Sequence, residues 1–300
     1  MKGVSVCIPC YNQTSFLRQT LVSVLEQDYP HFELIVSDDS TTDEVQNLVG
    51  EFLSNSRVKI QYHRNIPSLG PAANWNACFH KSNFEWIKIM HHDDWFNTKD
   101  ALSKFMAHTN DQVSFVFSSA ISYNYQANSK SDHVPPSEFL KALDNNPSIL
   151  FVHNLLGPPS STLFRKISGV LFDERMKWLV DVDFYIRVLR NSEGRFKFIK
   201  ETLITSVNHA DHNVTNSSNN AETELYEYFL LYQKLKEIQW RNFEVDQRLL
   251  QLLDKYRIQS FIQLKPFLRD AVFTNEEFEE LMSKRKPRNI LSKIKSILKK

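Results

Sequence analysis

The 300-residue chain predicts an α/β fold: a mostly parallel central sheet flanked by helices, followed by a helical C-terminal extension. Three observations carry this. Short apolar runs alternate with helical patterns through the first ~125 residues, which is the signature of βαβ units. Several of the apolar runs stop abruptly on polar clusters. From Ala221 to about Phe267 the apolar residues recur at helical spacing throughout. With 42% hydrophobic and 24% charged residues, the chain can bury a sizeable core without disulfides.

The elements follow in order. Val4 to Ile8 reads as a buried strand stopped by Pro9, and Ser15 to Gln27 as a helix with Phe16, Leu17, Thr20, Leu21, Val24 and Leu25 on one face. Glu33 to Ser37 is a second strand, and Asp43 to Ser54 a second helix. Val58 to Tyr62 is a third strand, and Pro71 to Lys81 a helix with proline in its tolerated first turn. Trp86 to Met90 is a fourth strand, Lys99 to His108 a helix, and Val113 to Ser119 a further strand. Residues 125–150 are polar and proline-bearing and read as a loop or insertion. A helix follows Asp181, and Arg195 to Val207 reads as one or two strands, before a polar run from Asn213 to Asn220.

Parallel sheets of this kind bind ligands beyond the carboxyl ends of their strands. That rule brings three clusters together: Pro9-Cys10-Tyr11-Asn12, Asp38-Asp39-Ser40, and His91-His92-Asp93-Asp94.

Composition excludes several alternatives. A net charge of +1 gives no global case for nucleic acid as a partner. The six glycines form neither a G-x-G-x-x-G nor a G-x-x-x-x-G-K-[ST], so a bound nucleotide must have its phosphates held by something else. Three cysteines fit a reducing cytosol better than a disulfide framework or a four-cysteine zinc site. Cys7 of Cys7-Ile8-Pro9-Cys10 lies inside a strand, which argues against a redox motif. No run of about 18 apolar residues exists to span a bilayer, and the N-terminus is too interrupted for a signal peptide. A cytoplasmic location is expected.

Asp93 and Asp94 are adjacent carboxylates following an apolar strand. Hard oxygen ligands of this kind suit Mg²⁺ or Mn²⁺, which would neutralise a diphosphate in place of the missing glycine loop. Their alternative reading is a turn or helix cap. No third histidine or cysteine sits at ligand spacing to make His91-His92 a zinc site. A carboxylate at Asp38-Asp39 can accept the imide N–H of a pyrimidine, Tyr11 can stack on or border the ring, and Pro9 can shape its edge. The stretch from Asp39 to Asp43 also fits a simple turn with an N-cap.

These segments resemble a known family. Val4-Ser5-Val6-Cys7-Ile8-Pro9-Cys10-Tyr11-Asn12, Ser23-Val24-Leu25-Glu26-Gln27-Asp28-Tyr29, and Glu33 to Asp43 are similar to the opening of glycosyltransferase family 2. The likeness runs on through Asn65, Leu69-Gly70 and Asn76 into His91-His92-Asp93-Asp94, and covers roughly the first 210 residues. It implies a GT-A fold, a nucleotide-sugar donor and inversion at the anomeric carbon. It also implies nucleotide contacts from Pro9, Tyr11, Asn12, Asp39, Asn76 and Asp93, with Asp93 on the ribose or metal and Asp94 on the metal. Val180-Asp181-Val182-Asp183-Phe184-Tyr185-Ile186-Arg187 matches the family's downstream acidic motif and places the catalytic base at Asp181. An inverting transfer needs such a base to take the acceptor hydroxyl's proton. Asp181 could instead cap its helix, and Asp183 suits an i,i+4 pair with Arg187. Gly157 to Arg165 resembles the acceptor-side segment. Of His209 and His212, His212 is the better placed for the histidine the family often has near the diphosphate and metal. Three positions depart from the pattern: His91 replaces the first aspartate of D-x-D-D, Val180 stands where glutamate is frequent, and Trp75 where a basic residue is common.

Lys284 to Lys300 carries eight Lys or Arg and no acid, with Ile290, Leu291, Ile294, Ile297 and Leu298 on one helical face. Such a helix suits the anionic inner face of the cell membrane, or packing against protein with its lysines solvated. The expected organisation is a catalytic domain over 1–212 and a helical extension over 213–300. Within the catalytic domain, residues 1–125 would bind the nucleotide and residues 126–212 the acceptor. The expected function is transfer of a sugar from a nucleotide-diphosphate sugar, with UDP as the first candidate although dTDP offers the same imide. The acceptor would be a hydroxyl of a saccharide or lipid-linked saccharide in surface polysaccharide assembly. The alternatives are a nucleotidyltransferase and a non-catalytic nucleotide-sugar-binding module.

Overall fold

A computed structural model describes residues 1–54, 56–191, 195–208 and 220–285. The chain divides into two compact units, Met1–Leu150 with Asn154–Ser217, and Phe151–His153 with Ser218–Lys300.

The first unit is built on one nine-stranded sheet. Its strands are β1 (Val4–Cys10), β2 (Phe32–Asp38), β3 (Lys59–Arg64), β4 (Trp86–Ile89), β5 (Trp95–Phe96), β6 (Phe115–Asn124), β7 (Ser129–His133), β8 (Thr162–Arg165) and β9 (Phe196–Asn208). The order is β3-β2-β1-β4-β8-β6-β9-β5, with β7 added on β6. The half comprising β3, β2, β1 and β4 is wholly parallel, as the βα alternation predicts. The other half is mixed: β8 runs antiparallel to β4 and β6, while β9 runs parallel to β6 and antiparallel to β5.

Every residue of β1 and β2 is buried, because helices cover both faces. On one face Val4, Val6, Ile8, Leu34 and Val36 pack with α1 (Leu17–Leu25), α2 (Glu44–Leu53) and α4 (Ala101–Ala107). The opposite face holds an aromatic cluster in which Phe79 of α3 (Pro71–Lys81) stacks on Phe164 at 5.5 Å, and Phe172 stacks on Phe184 of α7 (Val180–Asn191) at 4.1 Å. Offset ring contacts of this kind add about 0.5–1.5 kcal/mol each beyond the area they bury.

Two expectations change. Pro9 does not end β1, which runs on to Cys10 in register with Asp38. The amide of Met90 donates to the Cys7 carbonyl, so Cys7 and Pro9 face the β4 side, and β4 has already ended at Ile89. The missing proline N–H therefore costs no ladder bond. Residues 125–150 are not a loop: they hold β7, α5 (Ser137–Asn145) and α6 (Ile149–Val152). β7 is polar and exposed and has no alternation to read. It exists because the long β6 offers an edge, closed by a turn in which Asn128 adopts φ 47°. The α5 signal was Phe139 and Leu143, four apart and both buried.

Among the described residues of the second unit there are four helices: α8 (Ala221–Glu237), α9 (Phe243–Lys255), α10 (Phe261–Leu268) and α11 (Asn275–Ser283). The continuous helical pattern is cut by caps, since Asn220, Asn242, Ser260 and Thr274 each accept a backbone N–H three residues on. Buried Asp246 accepts from Tyr232, Arg241 and Lys284 at 2.9–3.0 Å. Lys284 and Arg285, the first residues of the basic end, are thus ion-paired here, Arg285 with Asp254 at 3.0 Å. The rest of that segment lies outside the described residues. Among the described residues no helix is long and apolar enough to cross a membrane.

Candidate active site

The carboxyl ends of β1, β2 and β4 converge as the topology requires. The amide of Asp39 donates to the Cys10 carbonyl at 3.0 Å, and a His92 ring nitrogen lies 3.3 Å from the Pro9 carbonyl oxygen. Asn12, at φ 48°, clamps the first two loops: its amide donates to Ser40 Oγ at 2.8 Å, and its Oδ1 accepts from the Thr41 amide at 2.8 Å. Asp38 braces the turn, accepting from the Ser40 amide and from Tyr62 Oη. Burial and this carboxylate push the Tyr62 hydroxyl pKa well up.

Asp39 is 3% exposed and accepts four hydrogen bonds, from Asn65 Nδ2 (3.2 Å), Ser68 Oγ (2.6 Å) and the amides of Leu69 (2.7 Å) and Gly70 (2.8 Å). It organises the 65–70 loop that leads into α3. Tyr11 stands exposed beside these loops, while Pro9 is buried within β1 and meets the His92 ring through its carbonyl. Asn76, expected at the nucleotide, has its amide engaged with the 172–174 segment. It accepts from the Phe172 amide at 2.8 Å and donates to the Phe172 carbonyl and Glu174.

At the end of β4, ligand atoms of His91, Asp93 and Asp94 lie within 4.8 Å of one another. Asp94 is 1% exposed; its Oδ1 accepts from the Val207 amide at 3.2 Å, and its Oδ2 is enclosed without a hydrogen bond. Burial pushes the Asp94 carboxyl up to about 8, the charge of Asp93 adds to this, and nearby Ser160, Ser206 and the Val207 amide oppose it. His91 Nε2 is likewise enclosed and without a partner. Although 27% of the His91 side chain stays exposed, desolvation lowers its pKa to about 4 against the pull of Asp93, leaving a neutral imidazole at pH 7. Two crowded carboxylates, one with an orphaned oxygen, beside a neutral imidazole form a donor set that fits a divalent cation.

Lys88 on β4 is fully buried beneath this cluster and lies over the rings of Phe96 and Phe105 at 5.4 and 5.0 Å. Its Nζ donates to the carbonyls of Ser160 and Ile89. Desolvation lowers it to about 7, against the attraction of Asp94. A charged residue inside Trp86-Ile87-Lys88-Ile89-Met90 was the sequence signal for it.

Asp181 lies one residue inside α7, not at its cap, and is half-buried. Its Oδ1 accepts from the Val182 amide at 2.8 Å and its Oδ2 from Asn154 Nδ2 at 3.1 Å. Asp183 pairs with Arg187 one turn on, at 2.5 Å. The 154–161 segment ties Asp181 to the β4 cluster. Asn154 holds Asp181, Ser161 Oγ donates to the Leu156 carbonyl at 3.3 Å, and Ser160 Oγ accepts the His91 amide at 2.9 Å. Gly157 bends this segment at φ 99°, where a Cβ would lie 3.0 Å from Ser161 Oγ. Asn154, Ser160 and Lys88 are site-building residues that sequence patterns did not single out. His212, expected at the metal, lies outside the described residues.

The family model of glycosyl transferase family 2 matches residues 5–167, more than half of the chain. The chain belongs to glycosyltransferase family 2. WcaA of Escherichia coli (strain K12), named as a candidate colanic acid biosynthesis glycosyl transferase, is 26% identical over 264 residues, covering 86% of this chain and 88% of its own. The abequosyltransferase RfbV of Salmonella typhimurium is 30% identical over 112 residues, 37% of this chain and 33% of its own. A Campylobacter jejuni β-1,3-glucosyltransferase named for a polyprenyl-diphosphate-linked glycan is 28% identical over 122 residues, 40% of this chain and 39% of its own. The fold is GT-A. Staphylococcus aureus TarS, solved with UDP-GlcNAc, superposes with a TM-score of 0.66 at 18% identity, over 90% of this chain and 79% of that one. A Pyrobaculum calidifontis mannosyltransferase solved with GDP-Man and Mn²⁺ gives 0.55 at 16%, over 80% and 65%.

Proposed function

We propose that residues 1–212 form the catalytic domain of an inverting glycosyltransferase that uses a nucleotide-diphosphate sugar, first a UDP-sugar. The acceptor would be a hydroxyl of a saccharide or lipid-linked saccharide in surface polysaccharide assembly. One observation carries this reading. A buried carboxylate pair at the end of β4 is joined, through the 154–161 segment, to a separate carboxylate at the start of α7. The first group suits a charged diphosphate, and the second suits an acceptor hydroxyl. The names of the relatives support the acceptor class: colanic acid, abequosyl transfer and a polyprenyl-diphosphate-linked glycan. UDP-GlcNAc in TarS and GDP-Man in the archaeal enzyme support the donor class.

Asp181 acts as general base. As the acceptor oxygen attacks the anomeric carbon, its proton passes to a carboxylate oxygen of Asp181, and the bond from that carbon to the diphosphate oxygen breaks with its electron pair. One displacement inverts the centre, so no carboxylate nucleophile is needed. Asn154 and the Val182 amide hold Asp181 in place for this transfer. A divalent cation, Mn²⁺ or Mg²⁺, held by Asp93 and Asp94 would neutralise charge on the leaving diphosphate. Asp39 reads the base edge, where a pyrimidine imide would displace Ser68 Oγ, the one hydroxyl among its four donors. Tyr11 borders the ring. Asn12 and Asn76 act indirectly, by fixing the loops around the site.

The test is thermal stabilisation by UDP, dTDP, GDP and CDP, each with and without Mn²⁺, in wild type and Asp94→Ala. A saturating nucleotide at 100 times its Kd should add about 2.7 kcal/mol of stability. A Mn²⁺-dependent shift with UDP or dTDP that disappears in Asp94→Ala is expected. The absence of a shift with every nucleotide would remove the donor site from this reading.

A further inference from the structure

We propose that His91 is itself a ligand of the cation site, and that its imidazole nitrogen turns the metal preference away from Mg²⁺ and toward Mn²⁺ and Co²⁺. The inference rests on the metal-assisted reading above and goes beyond it by naming a nitrogen donor and a selectivity.

Three observations carry it. The first is distance. His91 Nδ1 lies 3.9 Å from Asp94 Oδ2, too far for a hydrogen bond. That gap lies between the roughly 3.0 Å that separates adjacent octahedral donors about 2.1 Å from one ion and the roughly 4.2 Å that separates opposite ones, so a single ion can reach both atoms. The second is satisfaction. Asp94 Oδ2 is enclosed in a side chain 1% exposed, faces His91 Nδ1 across this gap and has no hydrogen bond. A buried carboxylate oxygen left this way carries the desolvation cost of its charge unless a proton or a cation meets it. The third is rigidity. Ser160 Oγ holds the His91 backbone amide at 2.9 Å. Trp75 packs its ring 5.1 Å from the imidazole and is itself held edge-on by Phe172 at 4.8 Å. The imidazole is therefore presented to the carboxylates by three separate segments of the chain.

The consequence is chemical. Mg²⁺ is hard, prefers an all-oxygen octahedron and retains its waters, whereas first-row transition ions gain affinity from an imidazole nitrogen. A site with one nitrogen and two carboxylates should therefore discriminate more sharply between these ions than a site with three carboxylates. His91→Asp makes that comparison within one fold.

The experiment has two arms, both with UDP present. Calorimetric titration measures Kd for Mn²⁺, Co²⁺ and Mg²⁺ in wild type, His91→Asp, His212→Ala and Asp94→Ala. Pulsed electron paramagnetic resonance of bound Mn²⁺ looks for directly bound ¹⁴N, with ¹⁵N-histidine labelling to assign it. The wild type should favour Mn²⁺ over Mg²⁺ by more than about tenfold, and His91→Asp should lower that ratio by at least about tenfold. The ¹⁴N coupling should convert to ¹⁵N on labelling, persist in His212→Ala and vanish in His91→Asp. Tight Mn²⁺ binding without nitrogen coupling in wild type overturns the proposal, and so does coupling or selectivity retained in His91→Asp. If His91→Asp fails to fold, histidine coupling that persists in His212→Ala still supports the proposal, and its absence in wild type overturns it. Mn²⁺ binding retained in Asp94→Ala would instead overturn the cation-site reading itself.

Discussion

Replacing Asp39 separates the loop-holding job of this carboxylate from the base-reading job proposed for it. In the nucleotide-free protein it accepts four hydrogen bonds at 2.6–3.2 Å while 3% exposed. Asp39→Ala strands those four donors unequally. Asn65 Nδ2 keeps Asn74 Oδ1 at 3.0 Å, and the Ser68 hydroxyl can turn to water. The amides of Leu69 and Gly70 cannot turn, and each orphaned donor costs about 1–3 kcal/mol. The expected loss is therefore about 2–6 kcal/mol, a large part of the roughly 5–15 kcal/mol that stabilises a typical domain. Asp39→Asn keeps one acceptor oxygen and should lose about half as much. The assay is denaturant unfolding, read as a change of midpoint at constant slope. Nucleotide titration of the folded Asp39→Asn protein then tests the second job. Uracil offers an imide N–H and cytosine does not, so preference for UDP over CDP should collapse in Asp39→Asn. A loss of under ~1 kcal/mol in Asp39→Ala would refute the claim that Asp39 holds the 65–70 loop. An unchanged UDP preference in Asp39→Asn would refute its reading of the base.

Two further outcomes are expected. Asp181→Asn should lower kcat by about 10²- to 10⁴-fold, the usual worth of a general base, while nucleotide affinity stays within twofold or so; steady-state kinetics beside UDP titration checks this, and an unaffected kcat would move the base elsewhere. Mn²⁺ binding should release a proton at pH 7, because burial and Asp93 hold the metal-free Asp94 carboxyl at about 8 and the ligand must be ionised. The sign for stability is the reverse of the usual aspartate. The metal-free folded state binds a proton between 3.8 and about 8 that the unfolded chain does not, so this group's contribution falls as pH rises through that window. Calorimetry in buffers of different ionisation enthalpy reads the proton count, and zero release at pH 7 would contradict the assignment.

Much of the half built on β1 to β4 was legible because its signals are local. Apolar runs ending on Asn12, Asp39 and Asp94 place those residues at strand ends, and a parallel sheet puts strand ends together wherever the chain runs next. The half built on β6 to β9 was less legible. β7 has no hydrophobic period and forms only against the exposed edge of β6. The four donors to Asp39 come from a loop 26 to 31 residues downstream, and no spacing rule announces them.

What the residues determine alone is the chemistry available: carboxylates without glycine cradles, a base candidate at Asp181, and the substitution of His91 into an acidic motif. Only tertiary packing decided how those groups are used. It filled Asp39 with loop donors, engaged Asn76 with a neighbouring segment, buried Lys88 under the site and left Asp94 Oδ2 without a partner. The physical reason is that strand and helix periods are written in near neighbours, whereas hydrogen-bond satisfaction and desolvation depend on groups that only the folded chain brings into contact.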